Sequence, residues 1–251
     1  MIAITPLVVI PARMASTRLP GKPLVEIHGQ PMIVHVWRRA QEAAVGPVVV
    51  ACADQAIAAA VQAVGGTVVF TRPDHLSGSD RVFEALQTID TAGIYDVVVN
   101  VQGDLPTLES RILKSILLPL KEEPTIDIVT PVAPLTDPHV AINPNVVKAV
   151  VGFPTTAASG AIARVLYFSR TKVPSGPGPL FHHVGLYAYR RQALSQFITW
   201  PQSVLEKRER LEQLRALEHG LHIAAVLIDT APWSVDTPQD LARIRRILGR
   251  R

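Results

Sequence analysis

Two hydrophobic periods alternate along the first half of the chain. Leu7 to Pro11 is a short apolar run of strand type. Pro31 to Ala44 places Ile33, Val36, Trp37 and Ala40 at helical spacing. Pro47 to Ala51 predicts a second strand, and Gln55 to Val64 an alanine-rich helix stopped by Gly65 and Gly66. Thr67 to Phe70 predicts a third strand. Ser77 with Asp80 has the form of a capping box, opening a helix with Val82, Leu86 and Ile89 on one face. Asp96 to Val101 is a β-branched strand, followed by a helix over Thr107 to Leu120. Such alternation predicts an α/β fold with a mostly parallel sheet covered by helices.

The pattern changes in the middle. Ile126 to Val132, Val146 to Val151, Ala163 to Phe168 and Val184 to Tyr189 predict strands with no long helix between them, and Pro174 to Pro179 a turn. Ser203 to Leu217 predicts one long helix, capped by Ser203 and Glu206 and stopped by Gly220. After a strand at Ile223 to Ile228, Thr237, Pro238 and Asp240 open a final helix with Leu241, Ile244 and Leu248 inward. No repeat or linker interrupts the chain. The expectation is a single domain over 1–251: an α/β half over about 1–125, a β-rich insertion over 126–200 and C-terminal helices over 201–251.

Composition narrows the classes. Aromatics make up 5% of the 251 residues, so aliphatic side chains must fill the core. No run of about 18 apolar residues exists, so no membrane-spanning helix is expected. The apolar N-terminus lacks a basic flank and reads as a strand rather than a signal peptide. One cysteine, Cys52, excludes an internal disulfide framework and fits a reducing cytoplasm; it reads as a core residue. The histidines show no zinc-ligand spacing. A formal charge of +4 suits an anionic partner. The excess lies largely in Arg208, Arg210 and Arg215, read as one solvated helix face, and in Arg243 to Arg251. No aromatic residues interleave with these, so no nucleic-acid surface is expected.

The densest chemistry lies in Ile10 to Leu24, IPARMASTRLPGKPL. A strand ends there in a loop carrying Arg13, Ser16, Thr17, Arg18, Gly21 and Lys22. Strand ends are where α/β sheets bind ligands, and cations beside small residues make a phosphate cradle. It is neither a Walker A loop nor a dinucleotide fingerprint. Asn100 to Pro106, NVQGDLP, delivers Asp104 to a turn after a buried strand. There it could hold Mg²⁺ or merely shape the turn. Asp236 precedes the last helix, where it could equally serve the helix dipole.

The loop, with GQPMIVHVW after it, resembles the nucleotide-sugar pyrophosphorylases and, within them, the CMP-KDO synthetase family of 3-deoxy-manno-octulosonate cytidylyltransferases. TRPDHLSGSDR (71–81), NVQGDLP (100–106), NPNVVK (143–148), LYFSR (166–170), HVGLYAY (183–189), LEQLR (211–215) and VDTP (235–238) follow in the family's order. The resemblance implies a Rossmann-like nucleotidyltransferase fold. It implies nucleotide contacts from Pro11, Ala12, Arg13, Ser16, Thr17, Arg18, Lys22, Arg81 and Gln102. It makes Asp104 and Asp236 ligands of Mg²⁺, with Arg13, Lys22, Asp104 and Asp236 as the catalytic set. Gln102, His183, Tyr187, Glu212 and Gln213 would face the sugar, His183 and Tyr187 alternating on one strand. Three departures stand out: Leu105 replaces the usual acid, His182 stands where relatives often carry arginine, and the Ser175 to Leu180 loop is short.

The implied reaction joins CTP and 3-deoxy-manno-octulosonate into CMP-sugar and pyrophosphate, for lipopolysaccharide synthesis, in a cytoplasmic homodimer formed through the β-rich part. No membrane or nucleic-acid partner is implied. Two alternatives stay open: another acidic acceptor, such as sialic acid or an 8-amino octulosonate, and a non-catalytic nucleotide- or nucleic-acid-binding protein.

Overall fold

A computed structural model describes residues 2–249. Met1 of the opening strand segment and Arg250 and Arg251 of the basic C-terminal run lie outside the described residues. The chain forms two compact units. The first comprises Thr5–Lys114 and the segment from Pro232 onward; the second comprises Ser115–Ala231 and residues 2–4. Residues 201–231 therefore stay with the β-rich part, whereas the last helix joins the first unit. Among the described residues, no helix is long and apolar enough to cross a membrane.

In the first unit, β1 (Pro6–Pro11) leads through a 3-10 turn at Lys22–Leu24 and a small hairpin, β2 (Glu26–Ile27) and β3 (Gln30–Pro31), to α1 (Met32–Glu42). Then follow β4 (Val48–Cys52), α2 (Gln55–Gln62), β5 (Thr67–Phe70), α3 (Gly78–Ile89) and β6 (Val97–Asn100). All three pairings, β1 with β4, β1 with β6 and β4 with β5, are parallel, giving the order β5-β4-β1-β6. The core of β1 and all of β4 and β6 are buried, which is why they read as unbroken aliphatic runs. The chain winds outward from β1 on one side and then crosses to β6 on the other. The crevice beyond the carboxyl ends of β1 and β6 is thus the switch point of the topology, where ligands bind.

The division falls within α4 (Ser110–Glu122), which starts three residues later than its sequence signal. The second unit holds β7 (Ile128–Leu135), a short α5 (Pro138–Ala141), β8 (Lys148–Val151), β9 (Ile162–Ser169), β10 (Leu180–His183) and β11 (Tyr187–Arg190). It continues with α6 (Arg191–Thr199), α7 (Val204–Glu209), α8 (Gln213–Glu218) and β12 (Ile223–Leu227). β7 runs parallel to β12 but antiparallel to β10 and β11, and β9 is antiparallel to both β12 and β8. Since β8 also pairs with β10, the pairings β7–β12–β9–β8–β10 close on themselves. A mostly parallel sheet therefore describes the first unit only; strand pairing over the chain is mixed.

Four local expectations are corrected. The helix expected over 203–217 is two helices, because Arg210 takes a left-handed conformation (φ 56°) between α7 and α8. Arg170 stabilises that break, donating from Nε to the Glu209 carbonyl (2.7 Å) and from Nη2 to the Arg210 carbonyl (3.1 Å). Arg215 does not belong to a solvated face. It is buried, with Nε and Nη2 donating to the Glu206 carboxylate at 2.8 and 2.6 Å. His183 and Tyr187 lie on different strands, β10 and β11. Finally, α6 went unread, although Ala193, Leu194 and Phe197 carry its helical spacing. The last helix, α9 (Pro238–Leu248), does begin with the expected capping box of Thr237 and Asp240 and buries Leu241 and Ile244.

Candidate active site

Each wall of the crevice in the first unit is placed by a local cause. Beyond β1, the Ala12 N–H still donates to the Ala51 carbonyl at 2.9 Å, and the Met14 N–H to the Asp54 carboxylate at 3.2 Å. Leu19 then drops into a cluster with Ile27, Met32, Val235, Leu241 and Ile244. The loop is thus held at both ends while Arg13, Thr17 and Arg18 stay exposed and Ser16 is half-buried. Gly21, at φ +65°, permits the turn that opens the 3-10 segment and presents Lys22.

On the β6 side, the Val101 N–H donates to the Val9 carbonyl at 3.0 Å, and Gln102, Gly103 and Asp104 follow. A Cβ on Gly103 would stand 3.1 Å from the Pro11 carbonyl oxygen, so glycine lets the two strand-end loops approach. Gln102 donates from Nε2 to Asn100 Oδ1 at 3.1 Å.

Asp236 reaches Asp104 through the backbone. The Val235 N–H donates to the Asp104 carbonyl at 3.0 Å, and Val235 is buried in the same cluster that anchors Leu19. Thr107 adds a clasp: its hydroxyl accepts from the Trp233 N–H at 2.8 Å and donates to the Trp233 carbonyl at 3.2 Å. Residues 232–236 therefore form no strand, but these bonds fix Asp236 beside Asp104.

The result is a cleft of about 360 Å³, lined by Pro11, Ala12, Arg13, Ser16, Thr17, Arg18, Lys22, Arg81, Gln102, Asp104 and Asp236. Every expected nucleotide and catalytic residue lines it. Lys22 Nζ lies 2.6 Å from Asp104 Oδ2 and 3.0 Å from Asp236 Oδ1, and Arg18 Nη2 lies 3.0 Å from the same Asp236 oxygen. Burial works against the Lys22 ammonium, but Asp104 and then Asp236 outweigh it and hold its pKa above the ordinary lysine value. Asp104 is also raised. Burial dominates, the shared lysine offsets it in part, and the Asp236 charge adds to it. Both shifts are upward, for different reasons: the carboxylates favour the charged lysine, whereas burial and the neighbouring Asp236 charge disfavour the charged Asp104.

Arg81 is 3% exposed and donates to the Thr71 hydroxyl from the first turn of α3; burial lowers its pKa. The sequence left its surface position open, and the structure buries it against the cleft. His75, Ser77 and Gly78, from the 71–81 segment that the resemblance singles out, and Gly103 of the NVQGDLP turn line the cleft as well, although none was assigned a contact of its own. His75 is held by the Glu84 carboxylate, which also accepts from the Arg72 N–H at 3.0 Å. The Ser77 and Asp80 capping box is present and was the available signal for this wall. Cys52 is buried, and burial raises its thiol to about 11, in keeping with a core residue.

The remaining sugar-side candidates belong to the second unit. His183 is 6% exposed and packs between Phe168 (4.6 Å) and Tyr187 (5.5 Å). Its Nε2 lies 3.0 Å from Thr130 Oγ1, and its Nδ1 lies 3.5 Å from Gln213 Nε2. Thr130 Oγ1 also lies 3.1 and 2.9 Å from the Val184 and Leu186 carbonyls, placing it between the ends of β10 and β11. The two strands thus bring together what one strand was expected to carry. Tyr187 is buried too, while Glu212 stands at the N-cap position of α8 without a side-chain cap bond and is half-buried. Burial lowers His183 to about 3, with His182 contributing, and lowers His182 to about 4, with Lys148 contributing.

Strand-end loops that gather three cations opposite two converging carboxylates, at the switch point of a parallel sheet, define a nucleotidyltransferase. A family model described as cytidylyltransferase matches residues 7–223. The chain belongs to the cytidylyltransferase family. Over 248 residues it is 55% identical to a 3-deoxy-manno-octulosonate cytidylyltransferase of Paramagnetospirillum magneticum, covering 99% of each chain. It is 58% identical over 247 residues to the protein of that name from Methylobacterium radiotolerans, covering 98% of each. Among solved structures it is similar to CMP:2-keto-3-deoxy-manno-octonic acid synthetase complexed with CTP. That match has a TM-score of 0.89 and 36% identity, and covers 98% of this chain and 99% of the other.

Proposed function

We propose that the protein transfers CMP from CTP to the anomeric hydroxyl of 3-deoxy-D-manno-octulosonate, releasing pyrophosphate. The observation that carries this reading is the meeting of Lys22, Arg18, Asp104 and Asp236 in one cleft, in a chain whose relatives bear that activity as their name.

The hydroxyl oxygen bonds to the α-phosphorus as its proton leaves to solvent, and the bond from that phosphorus to the oxygen bridging to the β-phosphate breaks in line, releasing pyrophosphate. Such transfer needs positioning and charge neutralisation rather than a covalent protein group. Arg13, Lys22 and Arg18 neutralise the triphosphate, and Ser16 and Thr17 offer hydroxyls and backbone N–H groups from the same loop. Arg81, from its buried place, supplies a fixed cation to the nucleotide. The donor set suits Mg²⁺. Two carboxylates converge within hydrogen-bond reach of one point, and Mg²⁺ takes one or two carboxylates plus water and phosphate oxygens. No group of three potential ligand residues exists among the described residues, so an all-protein cage is not what this cleft offers. Held by Asp104 and Asp236, Mg²⁺ supplies Lewis-acid charge neutralisation at the phosphates.

The resemblance assigns Gln102, Glu212 and Gln213 to the sugar. The same reading assigns His183 and Tyr187 to the sugar; both are buried, with His183 Nδ1 3.5 Å from Gln213 Nε2 and its ring packed on Tyr187. Leu105 is buried and apolar, so no second acid stands next to Asp104 in the sequence there. The reading further assigns the enzyme to lipopolysaccharide synthesis in the cytoplasm and to a homodimer formed through the β-rich unit.

The test is pyrophosphate release from CTP, octulosonate and Mg²⁺, omitting each in turn. Release that needs all three is expected. Equal release with sialic acid or with another nucleoside triphosphate would overturn the assigned substrates. Asp104→Asn should lower turnover at least ~100-fold with folding retained; a near-normal rate would remove the metal assignment.

A further inference from the structure

Lys22 has two claims on it. The proposed chemistry needs its ammonium on the triphosphate, yet the structure places it on the carboxylates that the same chemistry needs for the cation. Nζ lies 2.6 Å from Asp104 Oδ2 and 3.0 Å from Asp236 Oδ1. A divalent cation on those two oxygens would stand about 2.1 Å from each, in the space the ammonium fills. The two cannot occupy it together.

The architecture suits an exchange. The Lys22 backbone is fixed, with Pro23 beside it in the 3-10 turn and Leu19 sunk in the core, so only the four-carbon stem has to swing. Ser16 and Thr17, where phosphates would lie, line the same cleft. A compact ammonium on a flexible stem can change partners in a way a planar guanidinium does not. Arg18, 3.0 Å from Asp236 on the solvent side, can follow it.

We propose that Lys22 occupies the Asp104–Asp236 pair until a nucleotide binds, and that moving its ammonium onto the triphosphate opens the pair to the divalent cation. Nucleotide and cation then bind interdependently, each raising the affinity of the other by the same factor. Without CTP the carboxylates take up the cation about tenfold more weakly. This inference rests on the metal assignment made above and is tested so that the two can fail separately.

Mn²⁺ binding to the full chain without nucleotide, followed by loss of the free-ion resonance, is the first measurement. Lys22→Met and Lys22→Gln should bind Mn²⁺ roughly tenfold tighter than the unaltered protein, within the usual range of such couplings. Arg13→Met removes a charge from the same cleft without touching either carboxylate, and should change Mn²⁺ affinity less than about threefold. The second measurement is metal-free CTP binding. Asp104→Asn should tighten it by releasing Lys22, and that gain should vanish in the Lys22→Met background. Lys22 variants that bind Mn²⁺ no better than Arg13→Met, or an Asp104→Asn gain that survives without Lys22, would refute the exchange while leaving the metal site standing. If Asp104→Asn and Asp236→Asn leave Mn²⁺ binding unchanged in the Lys22→Met background, the metal assignment itself falls, and the exchange with it.

Discussion

Thr107 touches no proposed substrate, yet the geometry makes it answerable for where Asp236 lies. Its hydroxyl makes two bonds to Trp233, at 2.8 and 3.2 Å, three residues before Asp236. Thr107→Val keeps the shape and removes both. A protein hydrogen bond contributes about 0.5–1.5 kcal/mol net. The pair is partly exposed, so water recovers some of the loss, and about 1–1.5 kcal/mol in all is a fair magnitude. The Val235–Asp104 backbone bond survives, so the segment loosens rather than detaches. At about 1.4 kcal/mol per decade, the well-placed population of Asp236 falls about tenfold. Pyrophosphate release should drop by about that factor, more steeply when Mg²⁺ is limiting, and Tm should fall by about 2–5 °C. Thr107→Ser, which keeps the hydroxyl, should restore both. If Thr107→Val releases pyrophosphate normally at limiting Mg²⁺, the clasp does not position the carboxylate.

Other consequences are as direct. Gly103→Ala puts a methyl 3.1 Å from the Pro11 carbonyl oxygen, a backbone atom with little room to yield. It should cost about 1–3 kcal/mol of stability in denaturant titrations, with weaker CTP binding. Arg81→Lys keeps the charge but not the fork that reaches Thr71 and the cleft, and should raise the KM for CTP about tenfold with little change in kcat. His182 and His183 are depressed to about 4 and about 3, against about 6.5 in an unfolded chain. As pH falls below about 6.5, the unfolded chain takes up protons that the folded one refuses. Their contribution to stability is therefore full above that pH and is lost progressively down through the folded values. Urea midpoints from pH 7 to pH 4 should show a slope shallower by about one proton in His183→Gln. An unchanged slope would mean that His183 already titrates normally in the fold.

The strand-end loops were legible because their causes are local. IPARMASTRLPGKPL and NVQGDLP each join a buried aliphatic run to small and charged residues, and both line the cleft. Capping boxes at Ser77, Ser203 and Thr237 were readable for the same reason, since each is closed within four residues. Even local signals can be overridden. A helical pattern runs through 203–217, but Arg170, some 40 positions away, gains the carbonyls that Glu209 and Arg210 give up when the helix breaks.

The sequence alone determined the alternation of strands and helices, the aliphatic core of the parallel sheet and the identity of the chemical groups, since periodicity and residue type act over a few positions. Only the tertiary structure decided that Asp104 and Asp236, 132 positions apart, share one lysine, and that His183 meets Tyr187 across two strands. Those meetings depend on a backbone bond from Val235 to Asp104, on a threonine held to Trp233 and on an apolar cluster joining Leu19 to Ile244. Such contacts arise only once distant segments are buried together, and no local pattern encodes them.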